Sequence, residues 1–165
     1  MISIRRAFAS KKDRAAFADP MLLVDDVYRY ALARTGSKED AEDIAIEVVQ
    51  QSPKHLTAEE LRPYMIGMTR RKVADHFRHV KRSLGPQTES KAFPIDEILD
   101  VQSALNTMSD NHRECLILKY VTGLSSIEIA TQLNLSPEAV DSLLQRARKA
   151  FAKEWEIMHG DENGR

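Results

Sequence analysis

The chain has 165 residues, 42% of them hydrophobic and 30% charged, with a formal net charge of -1. That balance belongs to a folded globular chain of one domain or two small ones, excludes a disordered polyelectrolyte, and argues against indiscriminate polyanion binding. A lone cysteine, Cys115, excludes an intramolecular disulfide or a cysteine-rich zinc site and fits a reducing, cytoplasmic compartment; no apolar run approaches membrane-span length.

Residues 1–18 carry Arg5, Arg6, Lys11, Lys12 and Arg14 without a long apolar core, and read as a basic arm and not a secretory signal. Asp19-Pro20 then caps and starts a helix whose apolar stripe is Leu22, Leu23, Val27, Tyr30, Ala31 and Leu32, ending at Gly36. Ser37 opens the next helix, with Asp40 as an acidic capping-box variant and Ala41, Ile44, Ala45 and Val48 as the inner face. Its outer face carries Glu39, Asp40, Glu42, Asp43 and Glu47 against Lys38. Such a face is either solvated, with acids favourably near the helix N-terminus, or a dock for a basic partner.

Ser52-Pro53 ends that helix, and 53–62 is expected to be a loop or a single turn from Thr57. A long helix is predicted from Pro63 to about Arg82, with Met65 or Ile66, Thr69, Val73, and Phe77 or Val80 turned inward. Arg70, Arg71, Lys72, Arg78, Lys81 and Arg82 make its outer side basic, and Tyr64, His76, Phe77 and His79 interleave with them. Cations with aromatic rings are what a single or melting nucleic-acid strand requires, for phosphate neutralisation and base stacking. His76 and His79 lack a third ligand or carboxylate motif, so no metal site is assigned.

Residues 83–94, aperiodic and containing Gly85-Pro86, read as an interdomain linker. The expected fold is therefore all-α: a helical domain over 19–82, a second over 95–158, and a disordered tail over 159–165. The second domain opens with Ile95, Ile98, Leu99, Val101, Ala104, Leu105 and Met108, followed by a cap region at Ser109-Asp110-Asn111. A helix from His112 to Thr122 is expected to bury Leu116, Ile117, Tyr120 and Val121, with Cys115 as a small buried hydrophobe, and to stop at Gly123.

Ser125 with Glu128 makes a capping box for a short helix with Ile127, Ile129, Ala130 and Leu133 as its apolar face. Asn134 suits the left-handed exit, Leu135 the corner, Ser136 the next cap, and Pro137 the first helical position. Val140, Leu144, Ala147 and Phe151 line one face of the long last helix, with Trp155 expected to cover the domain's open end. This is the pattern of a helix-turn-helix, whose second helix fits the DNA major groove; an ordinary αα-hairpin shares its caps and period.

Taken together, 20–155 resembles a bacterial RNA polymerase sigma factor of the extracytoplasmic-function (ECF) group, with regions 2 and 4 and a linker. The residues that carry the resemblance are 116–136 and 139–150 for region 4, and Glu39-Asp-Ala-Glu-Asp and 64–78 for region 2. The resemblance implies that Glu39, Asp40, Glu42, Asp43 and Glu47 meet the β′ subunit of core polymerase. It implies minus-ten DNA contacts from Tyr64, Arg70, Arg71, Lys72, His76 and Arg78. It also implies minus-thirty-five contacts from Lys119, Ser136, Glu138, Ser142, Gln145, Arg146 and Lys149. Core polymerase and promoter DNA are the implied partners. An anti-sigma factor is common in the family, though no segment here marks one. No cofactor, catalytic group or membrane insertion is implied.

Three positions depart from the family's pattern. Asp141 and Leu143 stand where basic residues are frequent; a carboxylate repels phosphate and a leucine cannot hydrogen-bond a base edge, which predicts weak duplex binding by region 4 alone. Tyr64 replaces a frequent tryptophan. The competing readings are a stand-alone helix-turn-helix regulator, which would form stable dimers and leave the acidic and basic helices without a joint purpose, and a sigma-like protein that sequesters a partner.

Overall fold

The structure, a computed structural model, describes residues 18–84 and 96–160. The basic arm up to residue 17, the linker from 85 to 95, and residues 161–165 lie outside the described residues. Among the described residues the regular structure is helical, as the patterning requires.

Asp19 accepts a hydrogen bond from the Met21 amide and Pro20 begins a single 3₁₀ turn, Pro20–Leu23, which leads into α1, Val24–Thr35. Leu22, placed on the inner stripe by periodicity, is exposed, because it lies on that tighter turn and not on α1. Val27, Tyr30 and Ala31 are the buried face of α1, and Gly36 ends it in a left-handed conformation (φ 70°) that a side chain would strain. Ser37 caps α2, Lys38–Gln51, by accepting from the Asp40 amide at 3.3 Å, and Ala41, Ile44, Ala45 and Val48 are buried as expected.

The third helix, α3, spans Ala58–Leu84 and starts well before Pro63. The start signal is Thr57: Glu60 accepts from its amide at 3.0 Å and from its hydroxyl at 2.9 Å, a reciprocal cap on the first turn. Pro63 falls in the second turn, where the carbonyl it leaves unbonded belongs to the exposed Glu59. Leu61, Met65, Ile66, Thr69 and Val73 face inward, and the Thr69 hydroxyl is satisfied by the Met65 carbonyl at 2.7 Å.

Beyond the linker, α4 is Asp96–Thr107 and α5 is Asp110–Leu116, which widens into a π-helical turn over Ile117–Val121. The Thr122 amide donates to the Ile117 carbonyl at 3.2 Å, the Thr122 hydroxyl donates to the Leu118 carbonyl at 2.7 Å, and Gly123 (φ 69°) ends the run. The extra residue in that turn rotates the ring of Tyr120, expected inside, out to 60% exposure, while Cys115, Ile117 and Leu118 fill the core. The last two helices are α6, Ser126–Leu133, and α7, Pro137–His159. The capping box of Ser125 and Glu128, the left-handed Asn134 (φ 55°), the Ser136 cap and the N-terminal Pro137 are all present.

Ile127 and Leu135 are exposed, contrary to their expected places in the helix-turn-helix core; Leu124 and Leu143 join the expected Ile129, Ala130, Val140 and Leu144 in filling it. Nor is His159 the start of a disordered tail: it is the last residue of α7, stacked on Trp155 at 4.2 Å with Nε2 2.9 Å from an Asp100 carboxylate oxygen. One hydrophobic cluster runs from Val27 and Val48 through Met65 to Ile117 and Ala147, so the two helical halves share a continuous core. Each fully buried aliphatic side chain in it contributes on the order of 1.5–3 kcal/mol.

Candidate nucleic-acid interface

The acidic helix α2 turns its charges in two directions. Asp40 faces α3, with a carboxylate oxygen 3.6 Å from Nε2 of His76, and Glu47 accepts from Lys72 Nζ at 2.5 Å and from Gln51 at 2.9 Å. The bond from Lys72 holds the Glu47 carboxyl below its usual range. Glu39, Glu42 and Asp43 point into solvent beside a 55% exposed Ile46. The open acidic surface is thus smaller than the composition of the helix implies, and it has an apolar centre.

On α3, Tyr64, Arg71 and Arg78 recur every seven residues, two helical turns, and lie along one exposed strip. Arg78 is paired with Asp75 one turn away, and Phe77, 42% exposed, flanks the strip edge-on to His76 with ring centroids 5.7 Å apart. The neighbours of Arg71 are differently placed. Lys72 is tied to α2 through Glu47, and Arg70 is turned toward the C-terminal half, its Nε 2.6 Å from Glu114 and one terminal nitrogen on the Gln132 carbonyl. Of the six minus-ten candidates, Tyr64, Arg71 and Arg78 form one surface, while Arg70, Lys72 and His76 serve as cross-braces to neighbouring helices.

On α7, Glu138, Ser142, Gln145 and Lys149 follow one another at four, three and four residues, the spacing of one helix face, with Arg146 beside them; all five are exposed. Ser136 sits at the cap before them, and Lys119, half-buried on the π turn, is apart from the strip. Hydrogen bonds from its own amide and from Ser136 at the helix start keep the Glu138 carboxyl below its usual range. As an anion it can accept from a cytosine amino group but not from phosphate.

Asp141 accepts from the Ser126 hydroxyl at 2.7 Å, so this carboxylate links the two helices of the motif. Leu143 is buried and belongs to a groove with Leu133, Leu135 and Ala139 that also borders Arg70. Both departures from the family's basic pattern therefore have packing roles.

Sequence reasoning missed Glu114 and the pair Tyr120–Arg148. Glu114 is the one acid among the buried positions 114–118, and its carboxylate takes the Tyr30 hydroxyl at 2.7 Å and Arg70 at 2.6 Å, with Arg34 3.5 Å away. An acid set against an apolar run is a legible signal, but its partners lie far away in sequence. Tyr120, swung out by the π turn, accepts from Arg148 Nε at 2.7 Å. Burial, and secondarily Glu114, push the Cys115 thiol up to about 11, the state of an inert core residue.

Among the described residues the fold is helical and α6 with α7 forms a helix-turn-helix, and comparison with known proteins agrees. Residues 98–151 match the family model for sigma-70, region 4. The chain is 26% identical over 147 residues to the ECF RNA polymerase sigma factor BldN of Streptomyces coelicolor, a match spanning 78% of this chain and 56% of that protein. It is 26% identical over 144 residues to the ECF sigma factor SigM of Bacillus subtilis, spanning 78% of this chain and 87% of that one. Its fold is similar to that of the sigma factor RpoE of Bartonella quintana, solved in complex with the anti-sigma factor NepR: the TM-score is 0.67 over 83% of this chain and 94% of that one, at 20% identity. Over most of its length the chain is thus similar to sigma factors of the ECF type, with the family-model match confined to 98–151.

Proposed function

We propose that this chain is a promoter-specificity subunit that binds core RNA polymerase, brings it to promoter DNA, takes part in opening the minus-ten region and catalyses no reaction of its own. The reading is carried by the coexistence, on one chain with a sigma-70 region 4, of an open acidic helix face and a separate aromatic–basic strip. Glu39, Glu42 and Asp43 would meet a basic element of the β′ subunit, with Ile46 adding apolar contact at the centre. Tyr64 would stack on an unpaired base, and Arg71 and Arg78 would neutralise phosphates along the same strand. Ser142, Gln145, Arg146 and Lys149 would enter the major groove at the minus-thirty-five element, with Ser136 and the amides at the start of α7 placed for phosphate. The N-terminal arm, the linker and the division into regions 2 and 4 at 83–94 belong to the same proposal.

Permanganate reactivity of promoter thymines tests the melting step. Reactive thymines near minus ten should require this chain and core polymerase together. Opening by core alone, or none with both, would contradict the assignment.

A further inference from the structure

The exposed strip of α7 holds Glu138, Ser142, Gln145 and Lys149 with Arg146 beside them, and the acid among them is Glu138. The neighbouring acid, Asp141, is occupied by the Ser126 hydroxyl at 2.7 Å, whereas Glu138 makes no ion pair among the described residues. The backbone that carries Glu138 is well fixed. Pro137 holds the first helical position, Ser136 Oγ accepts from the Ala139 amide at 3.2 Å, and the Val140 amide donates to the Ser136 carbonyl at 3.0 Å. The bond between Asp141 and Ser126 then ties this first turn to α6.

The second helix of such a motif meets base edges with its N-terminal residues. An anion at a helix start is favourable in the free chain, but on a face that approaches DNA it is repelled by phosphate. The repulsion is offset where the groove offers a donor. In the major groove the donors are the amino groups of cytosine and adenine; adenine sets its N7 acceptor beside the amino group, while guanine and thymine present acceptors. We propose that Glu138 is a specificity residue that selects cytosine at one position of the minus-thirty-five element by accepting a hydrogen bond from its exocyclic amino group.

This role rests on the proposed function and adds to it the identity of one base. The bond from its own amide keeps the Glu138 carboxyl below its usual range, so near neutrality the group is an acceptor only. Over a base that puts acceptors against it, the carboxylate would lose water without gaining a partner, and that penalty selects more sharply than the bond itself. Arg146 and Lys149, farther along the helix, supply attraction that is blind to sequence.

The test is in vitro transcription by core RNA polymerase with the full chain, from templates randomised across the minus-thirty-five element, with the transcribed templates sequenced. The parent should enrich cytosine about tenfold at one position. Glu138→Gln keeps the shape and presents an amide that pairs with both N6 and N7 of adenine, so the preference at that position should pass to adenine. Glu138→Ala should leave the position indifferent. In a second arm the same pool, as duplex, is offered to the full chain without polymerase at low salt, and the retained duplexes are sequenced. If no template is transcribed, the promoter role fails and the retained duplexes decide the base by themselves. A cytosine preference missing from the parent in both arms, or one that persists unchanged in Glu138→Gln and Glu138→Ala, overturns the assignment. If Glu138→Gln does not fold by circular dichroism, Glu138→Ala decides.

Discussion

Arg70 and Arg71 are consecutive, yet about 100° of rotation around α3 sends one guanidinium onto Glu114 and leaves the other on the exposed strip with Tyr64. Their substitutions should accordingly differ. Arg71→Ala should slow open-complex formation about tenfold, the equivalent of one charge-assisted contact, with core affinity unchanged; equal loss of both activities would remove Arg71 from the melting surface. The same distinction applies on α2. Asp43→Lys places a cation on the open acidic face and should weaken core binding about tenfold in a titration with labelled chain. Asp40→Lys puts its charge beside His76, and its main effect should be on thermal stability. Unchanged core affinity in Asp43→Lys would take the acidic face out of the interface.

At the scale of elements, stability is set by short local devices. Ser125→Ala removes the side-chain arm of the capping box on α6, leaving the bond from its amide to Glu128, and should cost about 1 kcal/mol in thermal or urea unfolding. Asn134→Val forces a branched side chain into the left-handed region and should cost more, roughly 1–2 kcal/mol, whereas Asn134→Gly should be nearly neutral. Equal effects of Val and Gly at 134 would show that the turn relaxes to another conformation.

These devices were legible in the sequence because each is written within four residues: Ser125 with Glu128, Ser136 with Pro137, Gly36 and Asn134 as left-handed stops. The start of α3 was misplaced because Pro63 is a stronger textual signal than Thr57 with Glu60, although the latter pair is what the backbone uses. Tyr120 and Ile127 fit the core by period, and Leu135 fits the corner of the turn. Their outward placement depends on the π turn and on how α6 and α7 cross, which no local pattern encodes.

For the whole molecule, charge sign proved more readable than charge position. The acidic α2, basic α3 and helix-turn-helix were visible as compositions, and the match of 98–151 to sigma-70 region 4 agrees with the last. What the sequence could not reveal is that Asp40, Glu47 and Glu114 pair with His76, Lys72 and Arg70, since those pairs join different helices. Half of the basic helix's candidate contacts are spent on holding the molecule together, and Asp141 and Leu143, which looked like defects in a DNA reader, brace its motif. The remaining polar strips face outward at three separate places, which is what the proposed role, bridging an enzyme and two promoter elements, would require.

The most direct measurement of that role is in vitro transcription from a mixed promoter pool with purified core RNA polymerase, with and without this chain. The account predicts that the chain comigrates with core and that transcripts start from a limited set of sites sharing upstream sequence at two positions, only when both components are present. Absence of any promoter use, together with failure to comigrate with core, would contradict it.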